Sequence, residues 1–384
     1  MLTDLFKPLR RTAAWALLAC VMVLPAGCGG GGTSDTLVIP VLPPGGTARV
    51  LSISAAPRLD PFPTTPQAYV SLATEAFDLA YNAGARGQLS TATWRELEPG
   101  ASGFDAEKVG NLESAIAQSQ RYRLTQFVGI QLINTSVREL PADLANQAFD
   151  SPQVMSRFRA LLDRLITPNR GKIKYLSIGN EVDAYLRAHP AEWAAYKRFY
   201  QDAARYARSL DPAIKVGVTG TADGALTQSA VELRDLNTDS DVLILTYYPL
   251  VFDAFSGVSV RDPGVVATDM PRMLALAGAR PLLLQEVGYP ASALNNSSPA
   301  MQAEFMRQVF VAWQQAGDRL PFLNVFMLHD FTQAMCDDFA VYYQLPGSPS
   351  FKAFLCSLGL RTARGAPRAA WGALLDEVRK SGLR

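Results

Sequence analysis

Gln126-Phe-Val-Gly-Ile-Gln-Leu-Ile133 is an apolar run of strand length, and the stretch from Gln153 to Ile166 behind it repeats its apolar residues at helical spacing. Lys174-Tyr-Leu-Ser-Ile-Gly179 follows as a second apolar run. Strand, helix and strand in that order make a βαβ unit, whose two strands lie parallel. The same alternation continues on both sides. Further strands are expected at Val50–Ser54, Arg86–Thr93, Lys215–Thr219, Val242–Thr246, Leu282–Gln285 and Phe322–Leu328. Helical patterns stand between and after them, at Pro66–Asn82, Ala106–Gln120, Ala191–Ser209, Gln228–Leu236, Val265–Ala277, Pro299–Gln315 and Pro367–Arg379. Gly278 is placed to end the helix before it. Val242-Leu-Ile-Leu245 has no polar alternation, as befits a strand covered on both faces. Eight such units over roughly 330 residues imply an α/β fold, a (β/α)8 barrel forming one domain over residues 49–384. The rival is an open doubly wound sheet, but no Gly-rich nucleotide loop follows the first strand.

Composition narrows the chemistry. Of 384 residues 48% are hydrophobic and 18% charged, enough for a large core and too apolar for wholesale disorder. Thirty-six Lys and Arg against thirty-five Asp and Glu leave a net charge of +1, with no basic footprint for nucleic acid. Only two histidines, His189 and His329, are present, so machinery built from several imidazoles is excluded. No H-E-x-x-H, C-x-x-C or G-x-x-x-x-G-K-[ST] occurs, and no metal or organic cofactor is expected.

Residues 1–27 read as a signal peptide. Lys7, Arg10 and Arg11 precede an apolar stretch, Thr12 to Leu24, whose 13 residues fall short of the about 20 needed to span a bilayer. Leu24-Pro-Ala-Gly-Cys28 and the glycines after it resemble a bacterial lipoprotein signal, which implies a lipid on Cys28 and attachment to the cell envelope. Cleavage near Ala26 and plain secretion is the other reading. Either way the protein is exported, and residues 28–48, rich in Gly and Pro, form a tether. Export permits a disulfide between Cys336 and Cys356; two buried thiols are the alternative.

Barrel active sites form at the C-terminal ends of the strands. Strand four ends in Ile178-Gly-Asn180-Glu181-Val-Asp183, and strand seven in Leu284-Gln-Glu286-Val-Gly-Tyr289-Pro290. Two carboxylates across a barrel mouth suit glycoside hydrolysis, one protonating the leaving oxygen while the other attacks or activates water. A gap of about 5–5.5 Å gives retention and a wider one inversion.

Gly179-Asn180-Glu181 together with Glu286 resembles the clan of retaining glycoside hydrolases built on (β/α)8 barrels. The resemblance implies Glu181 as general acid/base, Asn180 at the sugar 2-hydroxyl and Glu286 as nucleophile. Leu245-Thr-Tyr247-Tyr248-Pro249 also looks like the clan, where a tyrosine on strand six hydrogen-bonds the nucleophile. With Glu286-Val-Gly-Tyr289-Pro290 it is most similar to the endo-galactanase family and its relatives. Strand alternation turns one of Tyr247 and Tyr248 inward, and Tyr248 lies nearer the mouth. Members commonly carry Arg at the end of strand two and Trp at the end of strand eight. Here those places hold Thr93-Trp94-Arg95 and Leu328-His329-Asp330-Phe331.

Three other residues have two readings each. Trp94 stacks on a sugar or packs in the core. Asn134 bonds a sugar hydroxyl or caps a turn, and His329 touches substrate or is structural. The segment Thr332 to Ser357 is long for a βα loop and is expected to decorate the active face. The leading expectation is an exported, monomeric retaining β-glycosidase with a carbohydrate substrate. A non-catalytic carbohydrate-binding or envelope-scaffold barrel competes with it. A cysteine hydrolase using Cys336 and His329 is the third reading and needs a free thiolate.

Overall fold

The computed structural model describes residues 49–253 and 257–383, so the leader, Cys28 and the tether lie outside the described residues. Eight parallel strands form a ring: β1 (Val50–Ile53), β2 (Gly87–Thr93), β3 (Thr125–Asn134), β4 (Ile173–Asn180), β5 in two pieces (Lys215–Gly217 and Thr219–Thr221), β6 (Leu243–Tyr247), β7 (Leu282–Val287) and β8 (Phe322–Val325). β4 pairs with the first piece of β5 and β6 with the second, one residue further on. β1 meets β8 with Val50 opposite Phe322, which carries the ring right round. The fold is an α/β barrel. Its outer layer is α1 (Pro66–Asn82), α2 (Ala106–Arg121), α3 (Pro152–Ile166), α4 (Trp193–Leu210), α5 (Ala230–Leu236), α6 (Val266–Ala277), α7 (Pro299–Ala316) and α8 (Ala369–Lys380). None of the described helices is long and apolar enough to cross a membrane.

Local chemistry sets the helix ends. Thr65, Ser151 and Ser298 each accept a backbone N–H from the first turn of α1, α3 and α7, and a proline follows each of them. Gly278 ends α6 at φ 63°, a conformation in which a side chain would be strained. Strand eight is the main departure from the expected boundaries, because the chain leaves the sheet after Val325.

The barrel interior changes character along its axis. Leu89, Phe127, Tyr175, Val242, Ile244, Leu283 and Phe322, all near the strand starts, fill the floor with apolar side chains. Higher up the inward residues are polar: the Ser177 and Thr219 hydroxyls are 2.5 Å apart, and Thr219 Oγ1 donates to Gln285 Oε1 at 2.7 Å. Dry packing below and fixed hydrogen bonds above give the mouth a rigid polar base.

Two additions sit over the mouth. Leu250–Asp253 pairs antiparallel with Gly257–Val260 as a ribbon after β6. After β8 come two short helices, Gln333–Tyr342 and Pro349–Leu355, joined by the Cys336–Cys356 disulfide. They carry their own apolar cluster, including Phe331, Met335, Phe339, Phe354 and Leu358. The bond leaves no thiolate at Cys336, which removes the cysteine-hydrolase reading. Replacing both cysteines by serine is expected to lower unfolding stability by about 3 kcal/mol in urea titrations, through the freedom returned to the unfolded chain.

Candidate active site

Gly179 makes the turn out of β4. It sits at φ 94°, and a Cβ there would lie 2.3 Å from the Tyr196 hydroxyl and 2.5 Å from Val182 Cγ1. Tyr196 donates to the Ile178 carbonyl at 2.9 Å and so pins the same turn from the helix side. Two residues later Glu181 takes a left-handed backbone, φ 48°, and caps the short helix Val182–Ala188. Gly179→Ala is expected to destabilise the fold by about 3 kcal/mol, adding left-handed strain to overpacking. Denaturant unfolding beside a kcat measurement checks it.

A fault in register delivers Glu286. Against β6, Leu284 faces Leu245 but Glu286 faces Thr246, so Gln285 is an extra, bulged residue. Strict alternation would send neighbours to opposite faces. Instead Gln285 bonds Thr219 inside the barrel, while Glu286 Oε2 accepts the Tyr248 hydroxyl at 2.7 Å. Gly288 makes room for that tyrosine, since a Cβ there would lie 2.6 Å from its ring.

Glu286 is 9% exposed. Burial, followed by the charge of Glu181, pushes its carboxyl up to about 7, against the pull of hydrogen bonds from Tyr248 and Gln285. Glu181 is held by both oxygens: Thr135 Oγ1 donates to Oε2 and Thr246 Oγ1 to Oε1, each at 2.6 Å.

Beneath the carboxylates runs a chain of amides. Gln285 Nε2 donates to Asn180 Oδ1 at 2.7 Å, and Asn180 Nδ2 to Asn134 Oδ1 at 3.1 Å. Asn134 Nδ2 donates to the Tyr342 hydroxyl at 3.1 Å, and that hydroxyl donates to Glu139 Oε1 at 2.7 Å. Asn134 therefore orients Asn180 and docks the helical insertion. It does not cap a turn. Tyr343, next along the insertion, has its hydroxyl pKa raised by burial and by the charges of Glu181 and Glu286.

Three expected site residues belong elsewhere. Trp94 is fully buried, donates its indole N–H to Glu98 at 2.8 Å and meets the Phe158 ring edge-on at 5.0 Å. Thr93 ends β2 and caps a helical turn, which swings Trp94 towards the helix layer and away from any sugar. Tyr247 points outward, its hydroxyl 3.1 Å from Asp269. His329 is 1% exposed, four residues beyond the end of β8. Its Nδ1 lies 2.7 Å from the Ala56 carbonyl, and its Nε2 accepts from Arg361 at 3.2 Å. Burial above all depresses its pKa. It is structural.

Thr135, Thr246, Tyr342 and Tyr343 were not singled out by sequence. Only the length of the insertion signalled that something of it would reach the mouth. Phe326, half-buried at the end of β8, meets the Tyr248 ring edge-on at 6.4 Å. Among the described residues no group of three or more His, Cys, Asp or Glu is arranged to hold a metal ion.

No protein-family model and no curated protein matches this chain. Solved structures do. A GH5_18 protein from Streptomyces cattleya in complex with GlcNAc superposes with a TM-score of 0.66 at 16% identity, over 88% of this chain and 81% of that one. This chain shares its barrel fold with that protein. A GH5_18 protein from Bifidobacterium longum subsp. longum gives 0.64 at 16% identity, over 87% and 79% of the two chains. The exo-beta-1,4-mannosidase Op5Man5 from Opitutaceae bacterium strain TAV5 gives 0.62 at 16% identity, over 82% of this chain and 56% of that one. The likeness to these structures is one of fold.

Proposed function

We propose that the protein is a retaining glycoside hydrolase acting on a β-linked oligo- or polysaccharide. The observation that carries this reading is the pair Glu181 and Glu286, carried to one mouth at the ends of β4 and β7, with Tyr248 on Glu286 and two threonines on Glu181. Glu286 attacks the anomeric carbon while Glu181 gives its proton to the departing oxygen. Water then attacks the glycosyl-enzyme ester, Glu181 takes the proton back, and Glu286 leaves as carboxylate. Tyr248 steadies the nucleophile, and Asn180, fixed by Gln285 and Asn134, meets the 2-hydroxyl.

Reducing-sugar release from β-linked glycans tests the reading. Galactans belong on the panel because of the strand-six and strand-seven motifs, glucans as a general β-linked class, and β-mannosides because one GH5_18 neighbour was solved in complex with Manb1-4GlcNAc. Early products should keep the substrate's anomeric configuration by NMR. Inverted products would overturn the double displacement, and tight binding without release would make the barrel a carbohydrate-binding module. We also propose envelope attachment through Cys28. Labelled palmitate should enter the exported protein and be absent from Cys28→Ala.

A further inference from the structure

We propose that Thr135 and Thr246 are positioning residues that clamp both oxygens of Glu181 and aim its carboxyl at the leaving group. The inference rests on the glycosidase reading above and extends it to residues outside the recognised motif.

The two contacts come from opposite sides. Thr135 follows β3 and reaches Oε2, while Thr246 near the end of β6 reaches Oε1, both at 2.6 Å. Thr246 also faces Glu286 in the β6–β7 register, so the clamp touches both strands that carry the chemistry. A terminal carboxyl rotates in a broad well, and one partner would leave it free to swing. Two partners on two strands do not.

Backbone geometry adds an independent observation. Thr135 has φ 54°, in the left-handed region that a β-branched residue very rarely enters. Glu181, its partner, is left-handed too at φ 48°. The Thr135 N–H also donates to the Asn180 carbonyl at 2.9 Å, so the turn grips β4 just before the carboxylate it bonds. Glycine would relieve the strain at position 135 but has no hydroxyl to offer. Strain of this kind persists where the surroundings over-determine it, typically at functional sites.

The choice of hydroxyl suits a group that must change protonation state. To the carboxylate both threonines donate; to the carboxylic acid a threonine still donates to the carbonyl oxygen, which leaves the one O–H free to face the leaving group. The carboxyl is therefore held before Glu181 protonates the leaving oxygen and after it has taken a proton from water.

Thr135→Val and Thr246→Val keep shape and branching and remove only the hydroxyl. Steady-state kinetics should be run on two substrates with the same sugar, an alkyl glycoside and a 2,4-dinitrophenyl glycoside whose leaving group departs without a proton. Each variant should lose about 10- to 100-fold in kcat/KM on the alkyl glycoside, and under about threefold on the dinitrophenyl one. Thr135→Ser should recover most of the loss. Equal losses on both substrates, or none on either, would overturn the clamp. Wild-type silence on both substrates and on the whole glycan panel would instead overturn the glycosidase reading. The clamp is then judged by crystal structures of wild type and both variants. One carboxyl orientation at Glu181 in wild type and several in the variants supports it, and a single unchanged orientation in all three refutes it.

Discussion

Glu286→Gln is expected to lower kcat by about 10⁵-fold while sugar binding persists and the folded state gains stability in alkaline buffer. The amide keeps the shape of the side chain but cannot form the ester, so turnover falls with little change in the substrate's dissociation constant. The stability change follows from burial. Folding raises this carboxyl from its ordinary 4.5 to about 7. Below pH 4.5 it is neutral in both states and carries no penalty. Between 4.5 and 7 the unfolded chain ionises while the folded one keeps its proton, so stability falls as pH rises. Above 7 the loss is complete, about 3 kcal/mol. Glutamine has no charge to desolvate. In urea titrations the variant should match wild type at pH 4 and exceed it by up to that amount at pH 8. A gap that does not grow with pH would sink the burial account. The same carboxyl should set an acid limb near pH 7 in kcat/KM, which Tyr248→Phe moves upward by removing a hydrogen bond that favours the ionised form.

Glu181→Ala should lose about 10³- to 10⁴-fold on substrates with poor leaving groups. On a dinitrophenyl glycoside the first step needs no proton, so a burst of phenolate should appear and the glycosyl-enzyme should accumulate. Azide, a small anion that needs no general base, should then speed release and yield a β-glycosyl azide. In Glu286→Ala, azide enters from the vacated face and should give the α-anomer. The anomer formed in each variant assigns nucleophile and acid/base by product chemistry alone. The reverse pattern would exchange the two roles.

Strands covered on both faces leave apolar runs that periodicity can find, which is why the βα order could be read from the sequence. Glu181 and Glu286 were visible because an apolar run ending in a carboxylate marks a barrel mouth. Tyr248 was separable from Tyr247 by strand alternation and closeness to the mouth. What stayed hidden depends on irregular backbone. The bulge at Gln285 puts consecutive residues on the same side, and no period-two argument anticipates that. Thr135 acts through a left-handed turn in which threonine is scarcely expected. Trp94 and His329 kept two readings each because strand ends were uncertain: Trp94 comes directly after β2 and His329 four residues after β8, and both are buried and structural. Tyr342 and Tyr343 sit in an insertion whose pairing with β3 is tertiary and leaves no local mark.

The polarity of the barrel also decides how the molecule can be moored. β1 begins at Val50 on the apolar floor, and Arg49 donates to the Trp313 carbonyl near the end of α7, the pole opposite the carboxylates. α8 returns the chain to the same pole, where the Gly84 turn packs against Val378 and Leu383. Anything joined ahead of Arg49 or behind α8 therefore leaves from the back. A support coupled directly at Arg49 or at the end of α8 would meet the barrel at the pole away from its cleft.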